Sequence, residues 1–236
     1  MITVISLGGS IVAPDVIDVC FLSQFTRLID ELLAGDMRQK FIFVVGGGAP
    51  ARAYQNAFRE IADGAQLPIK NIDDEADWLG IMATRLNAQL VKALLAPHCP
   101  DPVVIDPTAD CSFTGRILVA AGWKPGFSSD NDAVLLAGRF NAKTVINLSN
   151  IERVYTADPK IDPGAKPIDA ISWQEFRRLV GDSWTPGANV PFDPIASANA
   201  QERGIRVICA AGRDLANFKK IIMNETFIGT TIGGGV

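Results

Sequence analysis

The chain has 236 residues, 48% of them hydrophobic and 20% charged, enough to bury one large core or two lobes. A net charge of −4 and a pI near 5.1 argue against nonspecific binding to nucleic acid or an anionic membrane, but not against a local phosphate site. No stretch reaches the ~18–20 apolar residues of a membrane-spanning helix, and the N-terminus runs straight into a β-rich segment without a basic leader.

Ile2-Thr3-Val4-Ile5-Ser6-Leu7 predicts a short strand that runs into Gly8-Gly9-Ser10. Ser10 there either offers a hydroxyl to a phosphate oxygen or only caps a turn. Residues 16–35 carry a helical stripe of Val16, Val19, Cys20, Leu22, Phe25, Leu28, Ile29 and Leu32, with Gly35 as the C-cap. Phe41-Ile42-Phe43-Val44-Val45 suits a strand buried on both faces, and Gly46-Gly47-Gly48 ends it. A helix follows, with Ala51, Tyr54, Ala57, Phe58 and Ile61 in its pattern and Arg52 one turn in. Glycines between a strand and a helix start let backbone N–H groups approach an anion with no Cβ in the way. Arg52 suits a bidentate phosphate clamp. The plainer alternative is a tight turn with a surface arginine.

Asp73-Asp74-Glu75-Ala76-Asp77 opens another helix, where acids suit the dipole, and the pattern runs to about Leu95. Asp77 and Arg85 lie roughly on one face, about two turns apart. Pro102-Val103-Val104-Ile105-Asp106-Pro107 predicts a short strand between prolines, and Arg116 to Gly122 a buried strand ending in glycine. The loop Trp123-Lys124-Pro125-Gly126-Phe127-Ser128-Ser129-Asp130-Asn131-Asp132 mixes aromatics, hydroxyls, a lysine and carboxylates. It then opens a helix through Ala133 and Phe140, capped by Ser129 or Asp130. Capping alone does not need that polar set, and sites favour such loops.

Lys143 to Leu148 is a further strand, and two Asp-Pro pairs at 158–159 and 162–163 mark turns. Ser172-x-x-Glu175 is a capping box for a helix through Phe176 and Leu179. Residues 181–194 are turn-rich. Asp193 to Arg203 reads as a helix closed at Gly204, Arg206 to Ala210 as a strand, Leu215 to Met223 as a helix, and Thr226 to Ile232 as a last extended run. Gly233-Gly234-Gly235-Val236 reads as a frayed tail.

Strands alternating with helices predict an α/β fold, a mainly parallel sheet covered on both faces in a three-layer αβα sandwich. Ligands on such sheets bind at the C-terminal strand ends near a topological switch point, where all of these loops lie. Neither G-x-x-x-x-G-K-[ST] nor G-x-G-x-x-G occurs, so neither a P-loop nor a dinucleotide fingerprint is indicated. The four cysteines (Cys20, Cys99, Cys111, Cys209) have no C-x-x-C spacing and read as reduced, mostly buried thiols of a cytoplasmic protein. The single histidine, His98, sits beside Cys99 between prolines, a poor metal site, so no metal ligand is assigned.

Taken together, Ser6-Leu7-Gly8-Gly9-Ser10, Gly46-Gly47-Gly48-x-x-x-Arg52, Asp77-x-x-Gly80-Ile81-x-Ala83-Thr84-Arg85-x-Asn87-Ala88, Pro125-Gly126-x-Ser128-Ser129-Asp130, Tyr155-Thr156-Ala157-Asp158-Pro159 onward, Asp193-Pro194-x-Ala196 and Gly229-Thr230-x-Ile232 resemble the amino acid kinase family over essentially the whole chain. Within it the resemblance is to UMP (uridylate) kinases of archaeal type. It implies a single amino acid kinase domain over 1–236, with an acceptor side at about 1–125 and an ATP side at about 126–236. It implies that Gly9, Ser10 and Gly48 line the ATP phosphates, and that Arg52 bridges the phosphates as a catalytic cation. Gly47 and Asp77 would face UMP, Asp77 through the ribose. Trp123, Lys124, Pro125, Gly126, Phe127, Ser128 and Ser129 would hold the UMP phosphate and base. Ser149, Asn150, Tyr155 and Asp158 would hold the adenosine, and Asp130 would organise the reaction centre. ATP with Mg²⁺ as donor, UMP as acceptor and a homohexamer are further implications.

The chain also departs from that pattern. Ser6 stands where bacterial UMP kinases have lysine, and Ala49 where many archaeal ones do. Glu152-Arg153 replaces an aspartate-glycine pair, and Thr185 and Pro186 stand where a lysine is expected. Serines replace threonines at 128 and 129, and Asp130-Asn131-Asp132 is more like glutamate 5-kinases. Lys124, Lys160 and Arg85 are candidates to supply the missing charge. The leading expectation is phosphorylation of UMP to UDP. The alternatives are a kinase of another small anion such as glutamate or carbamate, or a nucleotide- or oxyanion-binding protein without turnover.

Overall fold

Buried strand runs and amphipathic helices alternate along the chain as the apolar pattern predicts. The computed structural model describes residues 1–159, 161–181 and 190–234, so Lys160, Thr185, Pro186, Gly235 and Val236 lie outside the described residues. In chain order the elements are β1 (Ile2–Leu7), α1 (Gly9–Val12), α2 (Val19–Gly35), β2 (Lys40–Val45), α3 (Gly48–Gly64), α4 (Ile72–Leu94), β3 (Ile117–Ala120), α5 (Ser129–Arg139), β4 (Thr144–Ser149), β5 (Val154–Tyr155), β6 (Pro167–Ile168), β7 (Ala170–Ile171), α6 (Trp173–Val180), α7 (Pro194–Glu202), β8 (Arg206–Ala211), α8 (Leu215–Ile222) and β9 (Thr230–Ile232).

Among the described residues the main sheet has seven strands in the order β3-β2-β1-β4-β8-β9-β7. All its pairings are parallel except β8 with β9. The chain steps outward from β1 to β2 to β3, then crosses back to lay β4 on the other side of β1. The strand order therefore reverses between β1 and β4, which makes that gap the switch point of the fold.

Both faces of the sheet are dry. Ile5, Leu7, Phe41, Phe43, Ile146 and Leu148 pack on one face against α2, α4 and α8. Val4, Ile42, Val44, Leu118, Val145 and Val207 pack on the other against α5, α6 and α7. Successive residues of one strand thus enter opposite cores, which is why the strands read as unbroken apolar runs rather than as alternation.

Local chemistry sets several element ends. The Asp18 carboxylate accepts from the Phe21 N–H, so α2 starts at Val19. The stripe predicted from residue 16 is shorter than expected, and Val16 is 75% exposed. Ser128, not Ser129 or Asp130, caps α5 by accepting from Asn131 N–H. Asp193 caps α7 through Ala196 N–H, and the predicted Ser172–Glu175 capping box closes α6. The prolines at 102 and 107 flank no strand: Val104 forms a single bridge to Ala120. The extended run predicted from Thr226 is strand only from Thr230. Gly233 is not frayed, since its N–H donates to Ile171 O. Cys20 is exposed, Cys111 is half-buried, and Cys99 and Cys209 are buried. His98 Nε2 lies 3.1 Å from Asp30 Oδ1 on α2.

Candidate active site

At the switch point the two glycine corners meet backbone to backbone. A Cβ on Gly9 would lie 2.0 Å from Gly48 N and 2.6 Å from Gly47 N, so no side chain fits there. Gly48 itself has φ +67°, a conformation that favours glycine. The corner after β1 is not the open turn the sequence suggested, because α1 makes a single helical turn there. Two amides at the glycines join the corners, Gly46 N–H to Leu7 O and Ala49 N–H to Ala13 O, and Gly8 N–H ties the first corner to Leu148 O of β4. Asn87 of α4 adds a side-chain tie, its Nδ2 donating to Gly46 O at 2.9 Å and Gly47 O at 3.0 Å.

Beside this junction lies a cleft of about 420 Å³. It brings together Gly47, Gly48, Arg52, Asp77, Phe127, Ser128, Ser129 and Asp130, all singled out from sequence. Gly46, Ala51, Gln55, Gly80, Ile81, Thr84, Gly122, Val190 and Asp193 line it as well. Asp77, Gly80, Ile81 and Thr84 follow the i, i+3, i+4, i+7 spacing of one helix face, so the α4 wall was readable from the period. Gly48, Ala51, Arg52 and Gln55 repeat that spacing on α3, so Gln55 was readable in the same way. Asp193 stood in a quoted motif but without a cleft role, and Val190 carries no local signal.

The loop after β3 is tied to α4 at three points. Gly126 N–H donates to Asp77 Oδ2 at 3.1 Å, Arg85 Nη2 to Trp123 O at 3.1 Å, and Gly122 N–H to Thr84 Oγ1 at 2.8 Å. The Trp123 and Phe127 rings pack at a tilt of 55°, with centroids 4.8 Å apart. Lys124 Nζ lies 3.9 Å from the Trp123 ring centroid and 4.9 Å from that of Phe127. Arg85 thus serves the loop and is not among the residues lining the cleft.

Gly9 is buried under the junction, and neither it nor Ser10 lines the cleft. Ser149 sits against the same junction from the β4 side: a Cβ on Gly8 would lie 3.6 Å from its Cα. Asn150 follows β4, Tyr155 lies in β5 of the small β5–β6 ribbon and Asp158 comes just after it, and none of the three is among the residues lining the cleft. The Glu152-Arg153 pair is structural at this point, with Arg153 pairing to Asp169 and to Glu152.

The floor of the cleft is acidic. Asp130 accepts from Ser6 Oγ at 2.8 Å and from Asp193 N–H at 3.4 Å. Although Asp130 lines the cleft, protein packed around its carboxyl pushes its pKa up to about 6, and the neighbouring Asp193 charge adds to this. Asp132, fully buried two residues further along α5, is pushed to about 7 by burial, with Asp130, Asp106 and Asp193 reinforcing the shift. Arg52 is the one cation among the described residues lining the cleft, against Asp77, Asp130 and Asp193. Its Nη2 lies 3.4 Å from Pro14 O. Two phosphorylated ligands would need more positive charge than Arg52 supplies, and a divalent cation carried on their phosphates fits that deficit. Among the described residues no three His, Cys, Asp or Glu side chains gather as a metal cage.

The sequence model of the amino acid kinase family matches residues 1–211. The uridylate kinase of Hyperthermus butylicus is 34% identical over 233 residues, covering 98% of this chain and 97% of its own length. That of Methanospirillum hungatei is 35% identical, with 97% and 93% covered. The crystal structure of uridylate kinase from Archaeoglobus fulgidus superposes with a TM-score of 0.81 at 31% identity, over 99% of this chain and all of that one. A UMP kinase from Bacillus anthracis, at 18% identity and a TM-score of 0.74 over 100% of this chain and 96% of its own, shares the fold. With its reversed strand order at β1 and β4 and its fused glycine corners, the chain belongs to the amino acid kinase family.

Proposed function

We propose that this chain transfers the γ-phosphoryl group of ATP to the phosphate of UMP, giving UDP and ADP. The carrying observation is the single cleft where the glycine corner with Arg52, the Asp77 face of α4 and the 127–130 segment meet at the switch point. The relatives named uridylate kinase, matching nearly end to end, supply the substrate class. The acceptor is itself a phosphate, so the reaction needs alignment and charge neutralisation rather than a strong base.

In this reading UMP occupies the side formed by Gly47, Asp77 and residues 123–129, with Asp77 accepting from the ribose hydroxyls. ATP lies across Gly9, Ser10 and Gly48 toward Ser149, Asn150, Tyr155 and Asp158, so the donor site draws on both approximate lobes, 1–125 for its phosphates and 126–236 for its adenosine. Arg52, on the first turn of α3, bridges the facing phosphates. Asp130 orders the floor between them through Ser6 and the Asp193 amide. When bound with ATP, Mg²⁺ would supply neutralising charge beyond that of Arg52.

The same reading places the enzyme in the cytoplasm, in keeping with its four free cysteines. It makes the enzyme a homo-oligomer, by analogy a homohexamer. Supporting this, α4 leaves Trp78, Met82 and Leu86 exposed at i, i+4, i+8, and α3 leaves Tyr54 and Ile61 exposed. The test is Mg²⁺- and ATP-dependent ADP release with UMP, CMP, glutamate and carbamate as acceptors. Release with UMP well above the others is expected. Release with glutamate or carbamate alone, or tight ATP binding with no acceptor-dependent release, would overturn the proposal.

A further inference from the structure

One buried side chain has no part in the reaction as described. Asp132 is fully buried in α5, close to the carboxylates of Asp130, Asp193 and Asp106. Its Oδ1 has no hydrogen-bond partner among the described residues. Burying a carboxylate among like charges is unfavourable, so an apolar residue would serve the core better unless the carboxylate holds something in place. Its Oδ2 accepts from the Trp123 N–H at 3.2 Å. From the opposite side Arg85 Nη2 reaches the Trp123 carbonyl at 3.1 Å, and the Arg85 Nε is likewise buried without a partner among the described residues. Two side chains from two helices, each incompletely satisfied, thus converge on one residue of a loop.

We propose that Asp132 and Arg85 are positioning residues of the acceptor subsite, gripping the main chain of Trp123 through its N–H and its C=O so that the 123–127 loop stays fixed over the cleft. The proposal rests on the UMP reading above. Trp123 packs at a tilt against Phe127, which lines the cleft, and Lys124 spans both rings, so an error at Trp123 passes to the groups that meet the acceptor. The glycine junction on the donor side is built from β1, β2 and α3 and makes no hydrogen bond to Trp123 among the described residues. Loosening the grip therefore weakens acceptor binding selectively.

The experiment combines steady-state kinetics with amide hydrogen exchange on the full chain. Asp132→Ala and Arg85→Gln are each expected to raise the KM for UMP tenfold or more, with the KM for ATP changing less than twofold. Exchange in residues 121–127 should accelerate at least tenfold, with residues 41–48 unchanged. Asp132→Asn keeps an acceptor oxygen for the Trp123 N–H and should recover most of both losses. Equal rises in both KM values, unchanged exchange at 121–127, or no recovery in Asp132→Asn would overturn the grip. If Asp132→Ala fails to fold, Arg85→Gln is judged by the same readouts. A wild-type chain without UMP-dependent ADP release would sink the UMP reading, while exchange at 121–127 would still decide whether the grip exists.

Discussion

Gly9 shows how little freedom the site allows. Its missing side chain is what lets the β1 corner touch the β2 corner, and a Cβ there would collide with backbone nitrogen rather than with a movable side chain. Gly9→Ala should therefore lower stability by ~3 kcal/mol or more, read as the urea midpoint, because one of the two corners must shift. Asp130 and Asp132 set a second constraint, through pH. Their folded pKa values, about 6 and about 7, stand above the ordinary carboxylate value of 3.8. The folded chain then binds more protons than the unfolded one between about pH 4 and 7. Stability from these groups is full below that window and declines as pH rises through it. The thermal midpoint should fall from pH 5 to pH 8, and the fall should be smaller in Asp132→Asn, which cannot ionise. An equal fall in both proteins would remove Asp132 from the explanation.

Among the elements, α4 does the most to build the site. One face carries Asp77, Gly80, Ile81 and Thr84 into the cleft, and a turn further on Asn87 holds two carbonyls of the glycine corner. Removing that amide leaves both carbonyls buried without it, so Asn87→Ala should cost about 2 kcal/mol in urea unfolding. It should also lower kcat/KM, because the corner that carries Arg52 loses its support. Unchanged kcat/KM in a folded Asn87→Ala protein would mean the corner holds itself. Most of α4 was legible in the sequence because its residues obey one period, and β1, β2, β3, β4 and β8 were legible as dense apolar runs. Pro102 to Pro107 looked like a strand for the same reason, yet it joins the sheet by one bridge. The composition of an apolar run does not reveal whether a sheet edge is available to pair with it. The α1 turn was hidden because glycines signal a break, and here tertiary packing against Gly48 decides their conformation. Asp132 was visible only as the second acid of a loop; its hydrogen bond to Trp123, nine residues back, depends on the crossover that packs α5 against β1, β2 and β4.

At the scale of the whole molecule, the reversal of strand order between β1 and β4 puts segments from both halves of the chain beside one junction. A mainly parallel sheet could be anticipated from alternating strands and helices, but the strand order and the position of its reversal could not, because pairing partners are far apart in sequence. The same architecture leaves the outer side of the α3–α4 pair uncovered. Leu86 is 73% exposed, Met82 50% and Tyr54 65%, an apolar face on the helix whose other side forms the cleft. A stable interface commonly removes ~800 Å² per partner, with large apolar side chains at its centre, and this face has such side chains in helical register. If this face is the proposed subunit contact, Met82→Glu combined with Leu86→Glu would bury two carboxylates in it, so the wild type should sediment as an assembly and the double variant as a 25.3 kDa monomer. Both substitutions lie on solvent-facing positions of α4, so the monomer should keep its fold, checked by its thermal midpoint. Because Trp78 of this face lies 5.8 Å from the Arg85 guanidinium, separating the subunits should also raise the KM for UMP more than that for ATP. A double variant that sediments like the wild type would place the subunit contacts elsewhere on the molecule and leave the exposed stripe of α4 without a role in assembly.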